Sequence, residues 1–516
     1  MLSGILLGAA LLFGTGILAQ PELPTIPADL STPVQQRLAF NGPTSMRVGW
    51  STYERLGKPT VEFGVFPHLM TRSASSESST TYPTSRTWSN TVTLTGLLPY
   101  TTYYYKILST NSTIGSFKTA RVAGDHSPYN MAGVIDMGVF GPDGLSTRPT
   151  SFTGMPIPDQ LKPGDHTTIQ ALAATLAQYE FILHPGDFAY ADSWLFELGL
   201  GYINGTQAQG PAIYEGLIEQ FFDQLSILSG SKAYMVTAGN HESNCLNGKS
   251  PGEASCPIGQ TNFTGFVNRF SELMPETPDS IVGVRPRFDT GLEGARMKAR
   301  ALAASKTGAL PPFWYSFDYG MTHYLLFDTE TDLGNGIIGP DEAGGTQGDS
   351  DGPFGSYMNQ QVDFMDRDLA SVDRKLTPWV FVSGHRPWYV DSGPCTVCQQ
   401  AFEPILLKHK VDVAYFGHVH NMQLLGPLAN NTRDPAGYDN PSAPVYVVNG
   451  AAGHFEGLDL LTTPDKLPSY GIEWFNNGTL YGYNMFKFLD KDHLEIEFIS
   501  SKDGTVVNSV TLFKKH

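Results

Sequence analysis

The sequence predicts two folded parts in series: an all-β sandwich over residues 33–120, followed by an α/β layered domain over residues 125–516. Three observations predict this. The first part alternates short β-branched and aromatic runs with turn-rich links and has no helical period. From about Asn130 the pattern changes to apolar strands alternating with helices. Five of those strands end where a glycine stands beside Asp, Asn, Tyr or His. Ligands of open α/β sheets bind beyond the carboxyl ends of the strands, so the same recurrence also predicts a site.

Taken in order, residues 1–19 are apolar from Leu2 to Leu18 and end in small Ala19, which reads as a secretory signal peptide. No later segment is long enough to span a bilayer. Five N-x-S/T sequons, at Asn111, Asn204, Asn262, Asn430 and Asn477, suit an exported glycoprotein. Of the three pairings open to the four cysteines, an oxidising compartment favours the local one, Cys245 with Cys256 and Cys395 with Cys398; a redox or zinc role for the CxxC pair is the alternative. A net charge of −17 argues against a nucleic-acid partner, whose phosphates need basic residues. An anionic substrate therefore needs a local positive field.

The sandwich strands are read at Met46–Trp50, Thr60–Val65, Thr91–Leu94 and Thr102–Ile107, within a set of about seven. No acid, base or ligand cluster accompanies them. In the second part, Met131–Ile135 is a strand ending at Asp136-Met137-Gly138, and Thr168–Gln178 is a helix leading into Phe181-Ile182-Leu183 and Gly186-Asp187-Phe188-Ala189-Tyr190. Pro211–Leu228 is a second helix, with proline at its start and Gly230 beyond its end. Strand Ala233–Thr237 delivers Gly239-Asn240-His241-Glu242, Trp379–Val382 delivers Gly384-His385, and Val411–Phe416 delivers Gly417-His418-Val419-His420. Val445–Val448 and the hairpin Tyr483–Phe513 are expected to close the second half of the domain.

Any one of these polar residues is commonplace at a turn, but together they describe a pocket for cations. Asp136, Asp187, Tyr190 and one histidine supply three anionic oxygens and a nitrogen, a set suited to Fe(III). Asn240, His385, one histidine and the shared Asp187 carry less charge and suit a divalent ion, with Zn, Mn or Fe all compatible. His418 and His420 are two residues apart, so an extended segment turns both toward the same side.

The ordered set DMG, GDFAY, GNHE, VSGH and GHVH resembles the purple acid phosphatases of the calcineurin-like metallophosphoesterase superfamily, over about residues 35–510. The resemblance implies a fibronectin-III-like β-sandwich before an αββα metallophosphoesterase domain. It implies Fe(III) on Asp136, Asp187, Tyr190 and His420, and the divalent ion on Asp187, Asn240, His385 and His418. It further implies hydrolysis of small phosphate monoesters at acid pH by a metal-activated hydroxide, with phosphate as product and His241 contacting the reacting group. Plant-type members carry extra histidines shortly after the VxxH position, where this sequence has Arg386-Pro387-Trp388-Tyr389, so Arg386 and Tyr389 stand as substitute substrate contacts beside Asn240. A dinuclear phosphodiesterase and a non-catalytic secreted binding protein are the rival readings. Residues 244–310 read as an insertion beside the site, 334–355 as a loop, His323 and Asp328 as structural, and His454 and Glu456 as a turn near the crevice.

Overall fold

The computed structural model describes residues 24–140, 162, 164–200, 203–243, 257–275, 308–334, 359–460, 468–476 and 478–516. Residues 1–19, Cys245, Cys256, Asn477, and most of 244–310 and 334–355 lie outside the described residues. No helix among the described residues is long and apolar enough to cross a membrane.

The first part has eight strands: β1 (Val34–Phe40), β2 (Ser45–Thr52), β3 (Thr60–Gly64), β4 (Arg72–Ser75), β5 (Ser79–Thr80), β6 (Trp88–Thr95), β7 (Thr102–Ile107) and β8 (Ile114–Lys118). They form two sheets, β1-β2-β6-β5 and β4-β3-β7-β8. In β7 the period-2 pattern of the sequence becomes burial directly: Tyr103, Tyr105 and Ile107 are buried, while Tyr104 and Lys106 are partly exposed. With Val48, Trp50, Phe63, Val92 and Phe117 they form the sandwich core.

The second part adds β9 (Tyr129–Gly133), β10 (Phe181–Pro185), β11 (Ala233–Thr237), β12 (Tyr315–Tyr319), β13 (Thr322–Leu326), β14 (Trp379–Ser383), β15 (Val413–Phe416), β16 (Met422–Ala429), β17 (Thr432–Arg433), β18 (Val445–Asn449), β19 (Trp474–Asn476), β20 (Gly482–Phe488), β21 (His493–Ser500) and β22 (Val506–Phe513). β9, β10 and β11 are parallel neighbours in one sheet, and β13, β14, β15 and β18 are parallel neighbours in the other. Every residue of β10, β11 and β14 is buried, as expected of strands covered on both faces. The sheets meet through aromatic side chains: Phe181 lies 6.0 Å from Phe317 and 5.3 Å from Tyr324, and Phe486 lies 4.9 Å from Phe381 and 5.1 Å from Tyr415.

Three features differ from the sequence reading. The strand expected at 131–135 spans Tyr129–Gly133, which leaves Asp136 in the loop beyond it. The helix expected over 168–178 is helical at Thr168–Ala174 under a Thr167–Gln170 capping box and tightens into a 3₁₀ turn at Leu176–Gln178. The C-terminal hairpin does not close the second half. β20 pairs antiparallel with β9, Met485 opposite Ala132, so β20–β22 extend the first sheet. An alternating strand states which face is buried but not which sheet edge it joins.

The two parts are also joined more tightly than a linker would join them. β1 pairs parallel with β11, Leu38 opposite Ala233, and one ten-stranded sheet, β22-β21-β20-β9-β10-β11-β1-β2-β6-β5, runs from the C-terminal hairpin to the sandwich.

Candidate metal centre

The carboxyl ends of β9, β10 and β11 in one sheet and of β14 and β15 in the other open on a single crevice. Three residues past β9 stands Asp136; β10 is followed by Asp187 and Tyr190, β11 by Asn240 and His241, β14 by His385, and β15 by His418 and His420. Asp136, Asp187, Tyr190 and His418 all adopt left-handed backbone, with φ of 60°, 55°, 52° and 66°. Non-glycine residues rarely hold that conformation, and when they do they cluster at functional sites where the surrounding fold imposes it. The adjoining glycines are contact positions. A Cβ on Gly239 would lie 2.2 Å from Asp187 Oδ1, and one on Gly417 would lie 2.3 Å from Asp136 Oδ2.

Two overlapping donor sets result. In the first, the Tyr190 hydroxyl lies 2.8 Å from Asp136 Oδ1, 3.5 Å from Asp187 Oδ2 and 3.3 Å from His420 Nε2. In the second, His385 Nε2 lies 2.9 Å from Asp187 Oδ2 and 3.1 Å from Asn240 Oδ1, and His418 brings a ring nitrogen into the group with Asp187 and His385. Asp187 Oδ2 belongs to both sets. Asp136, Asp187 and His385 are fully buried, and Tyr190 and Asn240 nearly so. Two carboxylates, a phenol, a carboxamide and three imidazoles pointed at one another out of water call for positive charge between them. The donor types and their convergence therefore fit a pair of metal ions.

Surrounding groups hold these side chains in place. Asp136 Oδ2 accepts the His418 N–H at 2.8 Å, which leaves Oδ1 facing the crevice. Glu242 accepts N–H bonds from Asp187, Gly239 and Phe188 at 2.8, 2.8 and 2.9 Å, and so braces the loops after β10 and β11 together. Asp187 Oδ1 accepts the His241 N–H at 2.9 Å. The His241 ring meets both oxygens of buried Asp192, at 2.8 and 2.9 Å. Burial opposes charge on His241, but Asp192 and Asp187 outweigh it and hold the imidazole well above its ordinary pKa. For Asp187, too, burial is outweighed, here by His385 and His241, and the carboxyl is held well below its usual range. Burial and the nearby Asp136 push the Tyr190 phenol well above its normal value. A strong cation beside it would favour the phenolate instead.

The other sequence candidates fall elsewhere. Arg386 is buried, with Nε 2.8 and 3.0 Å from the Glu330 carboxylate and Nη1 2.9 Å from His418 Nε2, so it braces the floor of the second donor set through an ion pair. Tyr389 is fully buried and its hydroxyl donates to Glu403, which corrects its assignment as a substrate contact. Nothing in a Trp-Tyr pair after a histidine states which way the chain turns. Cys395 and Cys398 form a disulfide at the start of helix Thr396–Lys408. Asn111, Asn204, Asn262 and Asn430 are exposed. Sequence reasoning passed over Asp192 and the bracing role of Glu242; their places two residues from Tyr190 and Asn240 were the available signal. The turn at His454 and Glu456 does reach the crevice, where both group with His420.

Three family models match the sequence: the purple acid phosphatase N-terminal domain over residues 33–119, the calcineurin-like phosphoesterase over 161–422, and the iron/zinc purple acid phosphatase-like protein C-terminal model over 443–509. Acid phosphatase A of Cryphonectria parasitica is 45% identical over 98% of this chain and 96% of its own length. The chain belongs to the purple acid phosphatase family. An acid phosphatase of Aspergillus ficuum is 28% identical over 82% of this chain and 75% of its own length. The purple acid phosphatase PPD1 from yellow lupin seeds superposes with a TM-score of 0.62 at 21% identity, covering 94% of this chain and 75% of that one, and so shares the fold. Membership makes the chain a phosphoesterase, a hydrolase of a family built around a dinuclear metal centre.

Proposed function

We propose that this chain is a secreted acid phosphatase that hydrolyses small phosphate monoesters with an Fe(III)–M(II) pair, M being Zn, Fe or Mn. The observation that carries the reading is the shared Asp187 carboxylate between a tyrosine-containing donor set and an asparagine-containing one. Asp136, Asp187, Tyr190 and His420 would hold the trivalent ion, because three anionic oxygens offset its charge. Asp187, Asn240, His385 and His418 would hold the divalent one. Such a pair, when bound, supplies an acidified water and neutralises charge on a phosphoryl group.

The protein's own part is to place and protonate. His241, kept charged by Asp192, donates toward the phosphoryl or leaving oxygen, and its raised pKa keeps that proton across the acid range. Glu242 and the glycines hold the carboxylates in register. The first nineteen residues and the exposed sequons support export. The net charge of −17 favours neither nucleic acid nor an acidic membrane surface.

A visible absorption spectrum with metal analysis on the purified protein tests this. Two metals per chain and a phenolate-to-iron band are expected, with the band lost in Tyr190→Phe while the fold is retained. An unchanged spectrum in that variant would take Tyr190 out of the metal's coordination. Asn240→Ala is expected to weaken the divalent ion selectively, and normal metal content with full activity would refute its role.

A further inference from the structure

The β-sandwich supplies none of the donors at the crevice, yet it reaches the loop after β10 through one short helix. Phe188 stands between Asp187 and Tyr190, the two donors of that loop that hold left-handed backbone. Its buried ring stacks on Phe266 and Phe270 of helix Thr264–Phe270, with centroids 5.9 and 5.8 Å away and planes inclined by 20° and 27°. A cavity of about 30 Å³ is bounded by Tyr190, His241 and Glu242 on the crevice side and by Phe266 and Arg269 of this helix. Space for a water there means that solid packing does not set the distance between helix and loop. The stack on Phe188 does, and so does whatever holds the helix from its other side.

That other side is the sandwich. Asn268 Nδ2 donates to Thr80 Oγ1 at 3.2 Å, and Arg269 Nη1 donates to the hydroxyl of Tyr82, in the loop between β5 and β6, at 3.1 Å. The Tyr82 hydroxyl in turn donates to Glu215 Oε2 of helix Gly210–Ser229 at 2.6 Å, while Thr84 donates to Glu215 Oε1 at 2.6 Å. Tyr82, Glu215 and Arg269 are all buried. Among the described residues Glu215 and Arg269 make no direct hydrogen bond, and the only other acceptor of Arg269 is Gly265 O, at 3.3 Å, within its own helix. One phenol therefore mediates between a buried carboxylate and a buried guanidinium, and its loss would strand both.

We infer that Tyr82 is a positioning residue for the metal centre. Through Arg269 it fixes helix Thr264–Phe270 against the sandwich, and through the rings of Phe266, Phe270 and Phe188 that helix fixes Asp187 and Tyr190. This rests on the metal-dependent phosphatase reading of the crevice. It gives the sandwich, which carries no acid, base or ligand cluster, a part in shaping the site.

Tyr82→Phe removes the hydroxyl and keeps the ring. Tyr53→Phe is its control, because the Tyr53 hydroxyl also ties the sandwich to helix Gly210–Ser229, donating to Glu219 Oε2 at 2.9 Å, but makes no bond to helix Thr264–Phe270. In the metal-replete full chain, Tyr82→Phe is expected to speed metal loss to a chelator about 10-fold, to shift the phenolate-to-iron band, and to lower kcat about 10-fold with KM nearly unchanged. Tyr53→Phe should leave all three at wild-type values, even where thermal unfolding shows the two variants equally destabilised. In a Phe188→Leu background, which thins the stack, the effect of Tyr82→Phe on metal release should shrink. An unchanged band and release rate in Tyr82→Phe overturn the proposal. So do equal shifts in Tyr53→Phe, which would reduce the effect to a loosened interface, and so does full additivity with Phe188→Leu. Wild-type protein without bound metal would instead refute the phosphatase reading itself, and this proposal with it.

Discussion

In the β12–β13 hairpin, His323 lies between two carboxylates, Nδ1 2.7 Å from Asp318 and Nε2 2.8 Å from Asp368, and both nitrogens are satisfied by the protein. At the strand tips, His385 is buried too, but its Nε2 lies 2.9 Å from Asp187, 3.1 Å from Asn240 and 3.9 Å from Asp136. The first arrangement is complete in itself. The second gathers more acceptors than one proton can serve and makes sense around cations. What separates a structural histidine from a ligand in this molecule is therefore not burial or a nearby carboxylate. It is whether the protein alone closes the hydrogen-bond account.

Three experiments press on that contrast. The largest effect is expected from His241→Ala, which should lower turnover at acid pH by about 10²- to 10⁴-fold with both metals retained. Loss of metal instead would place His241 among the ligands or the residues that hold the fold. Gly239→Ala should push the Asp187 carboxylate out of line, because the added methyl meets Oδ1 at 2.2 Å. A displacement of that size predicts about a 10²-fold loss of kcat/KM. Circular dichroism and thermal unfolding unlike the wild type would show a fold defect rather than a site defect.

The smallest effect on catalysis, and a distinct effect on stability, is expected at His323. Burial opposes its charge, but Asp368 and Asp318 raise its pKa to about 10. A folded pKa above the unfolded one means that the stabilisation is fully present below the unfolded pKa and is lost as pH rises through the folded value. Stability should therefore decline between about pH 6.5 and pH 10, and His323→Gln should flatten that decline while costing about 3 kcal/mol at the acid end. Urea unfolding across the range checks it. Equal slopes in wild type and variant would deny the hairpin histidine its charge, and a large loss of turnover would erase the contrast with the crevice.

Much of the site could be read before the fold. GDFAY, GNHE and GHVH announce themselves because glycine, a short apolar run and a metal-competent side chain are local features, and the ends of parallel strands face one way. What stayed hidden was relational. Asp192 carries no motif of its own, Glu242 looks like an ordinary acid, and nothing in the sequence turns Tyr389 inward to Glu403. The C-terminal hairpin was placed on the wrong half because its alternation is satisfied equally well on either sheet.

Alone, then, the sequence determined the order of elements, the two-part architecture and the chemical character of the pocket. All three follow from periodicity, turn residues and side-chain types acting over a few positions. Tertiary structure decided that the sandwich sheet runs on into the catalytic sheet, that Arg386 pairs with Glu330, and that His454 comes to rest on Tyr190. Those outcomes depend on contacts such as the 2.8 Å bond between His418 and Asp136, residues 282 apart in the chain. No local pattern encodes such a meeting, because it exists only after both sheets have packed.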